Sequence, residues 1–213
     1  MAGTTVGEHV QVIVLLVDRE SPADDRDGIA AAANAAAAAF DASREDPVWQ
    51  AWFDEAMAKS VRRADVKTFR KLQSQFAGTV TTSVGFGEAL AFPPMPNDAL
   101  PKQLSRLQVS GTTLPRLDAV PATEGGTVEV LLNADLDMST GKAAAQAAHA
   151  FVLWTAAQNF ERRSPHVRFV PAATLASAAA SRDDAVVIED AGRTEIAPGS
   201  LTAVAFRRTQ ADR

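Results

Sequence analysis

The chain has 213 residues, of which 46% are hydrophobic, and its formal net charge is −5. This length and apolar content suit one large domain or two small domains with packed cores. The absence of cysteine excludes disulfides and thiolate metal sites, and three histidines make a zinc enzyme a poor prediction. The acidic balance disfavours a general nucleic-acid binder, because such domains usually carry excess lysine and arginine. We expect no metal and no cofactor.

The first predicted strand, Val10–Val17, is also the longest apolar run and is interrupted only by Gln11. It is too short to cross a bilayer, and no basic segment with a cleavage site precedes it. We therefore expect a cytoplasmic protein that makes no membrane contact. A polar loop follows the strand and leads into a predicted helix at Ile29–Phe40.

Helices and strands alternate through the rest of the first half. The predicted elements are a helix at Pro47–Ala58, a strand at Lys59–Arg63, a helix at Val66–Phe76, and strands at Thr79–Val84 and Glu88–Phe92. The prolines at 93, 94 and 96 end this first unit, because proline removes a ladder donor and fixes the backbone. The segment 97–126 is predicted to be a tail and linker.

The second half repeats the order of strand, polar loop and alanine-rich helix. A strand begins at Val128, and either Ser139 or Thr140 can cap the helix that follows. The later predicted elements are a strand at Val167–Val170, a helix at Thr174–Ala180, and strands at Ala185–Glu189 and Leu201–Phe206 joined through a Pro198-Gly199 turn. The order predicts a three-layer α/β/α sandwich around a mixed sheet of about four strands, duplicated in tandem as units 9–96 and 127–208.

Three polar residues share one face of the second alanine-rich helix. Lys142, Gln146 and His149 stand at positions i, i+4 and i+7, a spacing that most often marks only the solvated face of an amphipathic helix. The helix begins near Gly141, where free amide N–H groups and the positive dipole end favour an anion such as a phosphate. No Walker-type G-x-x-x-x-G-K-[ST] pattern is present.

Two motifs, taken together, point to a family. Residues 135–150 read DLDMSTGKAAAQAAHA, and residues 190–194 read DAGRT, followed by Ile196, Pro198-Gly199-Ser200 and Thr202. In this order the two motifs resemble those of the type 2 (bacterial-archaeal) peptidyl-tRNA hydrolases. The resemblance implies hydrolysis of the ester bond between peptide and tRNA in peptidyl-tRNA, with release of free tRNA during translation.

The resemblance also implies roles for particular residues. The residues it makes catalytic are Lys142, Asp190, Thr194 and His149, and those it makes substrate-binding are Gln146, Arg193 and Thr202. The helix start at Gly141 and the basic pair Arg162 and Arg163 are further candidates for contacts with tRNA phosphates. Which group is the general base stays open.

The first unit has no counterpart of these motif residues. It is therefore predicted to keep the fold of the second unit without its chemistry. A non-catalytic binding or regulatory module that keeps the fold and the cleft is the main alternative to a hydrolase, and a different hydrolase or transferase acting on a small anionic ligand is another. The two units are expected to pack as an intramolecular pseudo-dimer in a monomeric or homodimeric protein.

Overall fold

The computed structural model describes residues 8–118, 121–159, 163–190 and 196–209. In these residues two mixed sheets carry helices packed on them. The helices are α1 (Asp25–Ser43), α2 (Pro47–Asp54), α3 (Val66–Gln75), α4 (Lys102–Ser105), α5 (Thr140–Ala157) and α6 (Ala172–Ser181). The strands are β1 (His9–Leu16), β2 (Lys59–Ala64), β3 (Val80–Val84), β4 (Gly87–Ala91), β5 (Met95–Pro96), β6 (Val128–Asn133), β7 (Pro165–Val170), β8 (Val186–Glu189) and β9 (Leu201–Arg207).

The first sheet, which we call sheet 1, has the strand order β2-β1-β4-β3, and the short β5 also pairs with β1. β1 is parallel to β2, whereas the β1–β4 and β3–β4 pairs are antiparallel. The side chains of β1 are buried on both faces, as its nearly continuous apolar sequence predicts. Ile13 belongs to the core on one side of the sheet and Val14 to the core on the other side.

The second sheet, sheet 2, has the order β7-β6-β9-β8 and the same pairing directions as sheet 1. The registers also correspond. Val14 pairs with Arg62 on the parallel neighbour and with Leu90 on the antiparallel neighbour, and Leu131 pairs with Arg168 and Val204 in the same way. A tandem duplication would give such equivalence, and the duplication itself stays a prediction.

The helices α1 and α5 pack against each other between the two sheets. Both are rich in alanine, whose small side chain favours the helix and lets two helix backbones approach closely. α1 also contacts β7 of sheet 2, and α5 contacts β2 of sheet 1. One hydrophobic core therefore contains residues of both units, including Trp52 from the first and Trp154 from the second.

The outer faces of the sheets are covered by separate helices. Apolar residues of α3 and α4 form a core with the outer face of sheet 1, and α6 covers part of the outer face of sheet 2. Each sheet thus lies between helices, which confirms the predicted α/β sandwich. Among the described residues, no helix combines the length and the apolarity that crossing a bilayer requires.

Several boundaries differ from the sequence prediction. α1 begins at Asp25 rather than Ile29, because Asp24 caps it by accepting a hydrogen bond from the Arg26 amide at 2.9 Å. The segment predicted to be only a tail and linker contains α4 and is partly buried. Leu104 and Leu114 both pack inside the protein, so this segment belongs to the folded structure.

Candidate active site

The two sequence motifs meet at one edge of sheet 2. β6 and β8 are both antiparallel to β9 and so run in the same direction, and the motifs follow their carboxyl ends. Asn133 closes this edge, because its side chain accepts from the Asp135 amide at 3.0 Å and donates to the Leu201 carbonyl at 2.8 Å. The loop before α5 is thereby tied to the start of β9.

Lys142 reaches this edge from the first turn of α5. Ser139, one of the two predicted caps, is the N-cap, and its hydroxyl accepts from the Lys142 amide at 3.3 Å. The Lys142 ammonium donates a hydrogen bond to Asp190 Oδ2 and forms an ion pair with it. The two residues are 48 positions apart in sequence, so this contact joins one motif to the other.

Asp190 is held by a hairpin turn. Its amide donates to the Ser200 carbonyl, and its carbonyl accepts from the Gly199 amide, both at 2.9 Å. Gly199 has φ +77°, which suits glycine at the third position of the predicted Pro198-Gly199 turn. The Asp190 side chain is 2% exposed and that of Lys142 is 19% exposed. Lys142 is therefore the member of the pair that reaches the surface.

Gln146 and Thr202 extend the ion pair into the protein. Gln146 Nε2 donates to Asp190 Oδ2 at 3.5 Å, and the Thr202 hydroxyl lies 2.9 Å from Gln146 Oε1 and 3.0 Å from the Ile188 carbonyl. Thr202 is 0% exposed and Gln146 is also buried. In this structure both side chains position Asp190, and their expected roles in substrate binding stay a prediction.

At the start of α5 the amides of Gly141, Lys142 and Ala143 all have acceptors within the protein. The Gly141 amide donates to the Thr112 carbonyl at 3.0 Å, and the Ala143 amide donates to the Ser139 carbonyl at 2.9 Å. The Leu114 amide in turn donates to the Thr140 hydroxyl at 2.8 Å. The segment after α4 thus takes the Gly141 amide in this structure, and the substrate-binding role expected for Gly141 stays a prediction.

His149 lies against the first unit and not in the Lys142–Asp190 network. Its Nε2 is 2.7 Å from the Met57 carbonyl, which can only accept, so Nε2 carries the hydrogen. Lys59 Nζ donates to the same carbonyl at 3.2 Å and lies 4.6 Å from the centroid of the Trp52 ring. In this structure His149 thus bonds at the contact between the units, and its expected catalytic role stays a prediction.

Burial, reinforced by the positive charge of Lys59, lowers the pKa of His149 to about 3 from its ordinary 6.5. Burial also lowers the pKa of Lys59 well below its ordinary value. A neutral imidazole suits the observed hydrogen bond to a carbonyl. In the unfolded chain His149 takes up a proton below pH 6.5, whereas in the folded chain it does not until about pH 3. Stability is therefore lost as the pH falls through this window.

Replacing His149 by glutamine is expected to remove this acid sensitivity, because the amide can still donate to Met57 but does not titrate. Between pH 7.5 and 5.5 the wild type should lose up to about 1.4 kcal/mol more unfolding free energy than His149→Gln. Urea unfolding of both proteins at the two pH values measures the difference. Parallel losses in the two proteins would contradict the neutral, buried imidazole.

Of the remaining candidate site residues, Arg163 lies away from Lys142, and the others are not among the residues that the structure describes. Arg163 precedes β7 at the edge where β6 begins, so it is about 20 Å, one strand length, from the edge that holds Lys142. Its expected contact with a tRNA phosphate stays a prediction, and any such contact lies away from Lys142. Thr194, Arg193 and Arg162 are not among the described residues. Within the described ranges no three His, Cys, Asp or Glu side chains form a group that could hold a metal ion.

Most of this site could be found from the motifs, and two contacts could not. Thr112 and Met57 act through backbone carbonyls, which leave no signature in a sequence. Lys59 was missed because it opens an ordinary strand.

Comparison with models of known protein families gives no match to the chain. Comparison with curated proteins likewise finds no match.

Proposed function

We propose that this protein is a cytoplasmic hydrolase that cleaves the ester bond between peptide and tRNA in peptidyl-tRNA and releases free tRNA. The observation that carries the proposal is the ion pair between Lys142 and Asp190. It joins the two motifs that resemble the type 2 peptidyl-tRNA hydrolases, at the sheet edge where α/β folds usually bind ligands. The Lys142 cation of the pair is partly exposed, so it can reach the negative charge that develops on the ester during hydrolysis.

Lys142 is the group that meets the substrate in this proposal. Its ammonium donates one hydrogen bond to Asp190 and has two further N–H groups. When water attacks the ester carbon, negative charge develops on the carbonyl oxygen, and an ammonium held beside it stabilises that charge. The bond to the ribose oxygen then breaks, and this oxygen leaves as a hydroxyl by taking the proton that the attacking water gave to Asp190.

Asp190 has two roles in the same scheme. It fixes the direction of Lys142, and its carboxylate is the group of the network of Lys142, Asp190, Gln146 and Thr202 that we assign as general base for the attacking water. Gln146, oriented by the Thr202 hydroxyl, donates to Asp190 from behind. Buried partners that fix the carboxylate reduce the reorganisation needed during the reaction.

A non-catalytic binding module is the second candidate, and the start of α5 favours it. There the Thr112 carbonyl accepts from the Gly141 amide, and the Thr140 hydroxyl accepts from the Leu114 amide. The anion site that a helix start would provide for a tRNA phosphate is thus covered. Without that phosphate contact the acceptor end of a tRNA can still meet Lys142, but its ester is not positioned for attack, so a protein of this kind would bind the tRNA without cleaving it.

The two candidates are separated by one assay. The full chain is incubated with an N-acetylated aminoacyl-tRNA, whose ester is a minimal peptidyl ester, and free tRNA is followed on acidic gels. The proposal predicts repeated turnover, and Lys71→Ala, which removes an exposed lysine of α3, should match the wild type. Binding of the tRNA without its release would support the binding module. Neither binding nor release would overturn both candidates.

A further inference from the structure

Asn133, the last residue of β6, is an amide in an apolar strand. It is 5% exposed and follows Leu131 and Leu132 in the sequence of the strand. Burying an amide is favourable only when its hydrogen bonds are made. Asn133 makes two, and both go to backbone groups of other segments. These two partners show what the residue does in the fold.

The donor side of Asn133 holds the start of β9. Its Nδ2 donates to the Leu201 carbonyl at 2.8 Å. Leu201 stands between the two supports of Asp190. On one side the Ser200 carbonyl accepts from the Asp190 amide at 2.9 Å, and on the other side Thr202 orients the buried amide side chain that donates to Asp190. A displacement of Leu201 therefore moves both supports of the carboxylate.

The backbone pairing does not hold this end of β9 by itself. The pairing of β6 with β9 ends at Leu132 and Ala203. On the other side of β9, the pairing with β8 shifts its register between Ile188 and Glu189. The side chain of Asn133 thus adds one more hydrogen bond between β6 and β9, at the place where the regular pairing stops.

The acceptor side of Asn133 holds the loop that leads to Lys142. Its Oδ1 accepts from the Asp135 amide at 3.0 Å. The Asp135 carboxylate accepts from the Ala172 amide at 3.0 Å, which ties the loop to the start of α6 as well. The loop ends at Ser139, whose hydroxyl accepts from the Lys142 amide. One buried side chain is thereby bonded to the segments that carry both members of the ion pair.

We propose that Asn133 is a positioning residue of the hydrolysis, which sets the separation and angle of Lys142 and Asp190. It acts through these two side chains and not on the substrate, because it is buried and both of its polar atoms are bonded within the protein. The inference rests on the proposed function. A misplacement of about 1 Å is enough to lower a rate by about 100-fold, so the effect of such a residue can be measured.

Two substitutions separate the two hydrogen bonds. Asn133→Ala removes both, whereas Asn133→Asp keeps an acceptor for the Asp135 amide and puts an oxygen against the Leu201 carbonyl. Because the bond to β9 supports Asp190, both variants should lower the single-turnover rate constant on N-acetylated aminoacyl-tRNA by about tenfold or more. The protein concentration at half-saturation should change by less than about twofold, because no contact with the tRNA is lost.

Two controls separate positioning from charge and from stability. Asn97→Asp makes the same chemical change at an exposed place in the first unit and should match the wild type. All rates are measured at a temperature where circular dichroism shows each variant to be folded. In a Lys142→Met background, Asn133→Ala should slow the reaction by less than about threefold, because the ion pair is already absent. A full-sized effect in that background would overturn the positioning role.

The ion pair also gives a readout that needs no hydrolysis. Its bond to Asp190 fixes the end of the Lys142 side chain, so the two protons of the Lys142 ε-methylene should give separate NMR signals in the full wild-type chain. In Asn133→Ala the side chain is released and the two signals should merge, whereas Asn97→Asp should keep them apart. Lys142→Met assigns the signals by removing them.

The two readouts distinguish the failure of this inference from the failure of the proposed function. Signals that stay separate in Asn133→Ala would overturn the positioning role, whether or not the wild type releases tRNA. An unchanged rate constant in an active protein would also overturn it. Signals that merge in a protein that releases no tRNA would contradict the hydrolase and keep Asn133 as the residue that positions the ion pair.

Discussion

Replacing Lys142 by methionine is expected to lower the turnover of peptidyl-tRNA by about 100-fold or more. Methionine is an unbranched side chain of similar length, but it carries no charge and has no N–H to offer a developing oxyanion. The ion pair with Asp190 is lost as well, so the carboxylate also loses its orienting partner. Single-turnover rates at saturating protein isolate the chemical step from tRNA binding.

The control for this variant is its folding. The Lys142 side chain is partly exposed, but its loss takes the ion-pair partner from the Asp190 carboxylate, which is 2% exposed, so the melting temperature is expected to fall and turnover is compared at a temperature where the variant is fully folded. Lys71→Ala serves as the matched variant, because it removes a lysine charge on α3, away from the site. Near-normal turnover of Lys142→Met, with the fold intact, would remove Lys142 from the reaction.

Replacing Trp154 by alanine is expected to destabilise the whole chain by about 3–5 kcal/mol. Trp154 is fully buried in the core that both units share, and its indole N–H donates to Asp184 at 3.1 Å. The truncation leaves a cavity between the sheets and removes one of the two hydrogen bonds to Asp184 Oδ2, which keeps the bond from the Arg207 amide at 2.8 Å. Because α1 and α5 pack against each other, the loss should not stay within the second unit.

The tryptophans provide a direct readout of this coupling. The chain has three, so Trp154→Ala keeps only Trp49 and Trp52, both in α2 of the first unit. Their fluorescence then reports the first unit, while the substitution lies in the second. We expect the fluorescence and far-UV circular dichroism midpoints in urea to fall together. A fluorescence midpoint equal to that of Trp154→Phe, a milder truncation, would contradict the shared core.

The order of helices and strands could be predicted from the sequence, because most elements show a hydrophobic periodicity and are bounded by residues that start or end them. β1 and β6 are apolar runs of strand length, and Ser139 is a typical helix cap, whereas the cap Asp24 was missed and the predicted helix began only at Ile29. The segment after β5 could not be read in this way. It has little regular structure, and its burial depends on faces offered by both units.

The same distinction applies to the candidate site. Lys142 and Asp190 were predicted together because two motifs carry them, and side-chain chemistry is visible in a sequence. The place of His149 depends on the Met57 carbonyl, and the covering of Gly141 depends on the Thr112 carbonyl. Backbone partners that come from distant segments are set by the packing of the two units, which local patterns do not encode.

The most direct test of the central claim is a double-mutant cycle on peptidyl-tRNA turnover with Lys142→Met, Asp190→Asn and the two combined. If Lys142 and Asp190 act as one unit, as their ion pair indicates, each single variant is strongly impaired and the double variant is no slower than Lys142→Met by more than about threefold. Losses that multiply in the double variant, or a wild-type protein that releases no tRNA, would contradict the claim.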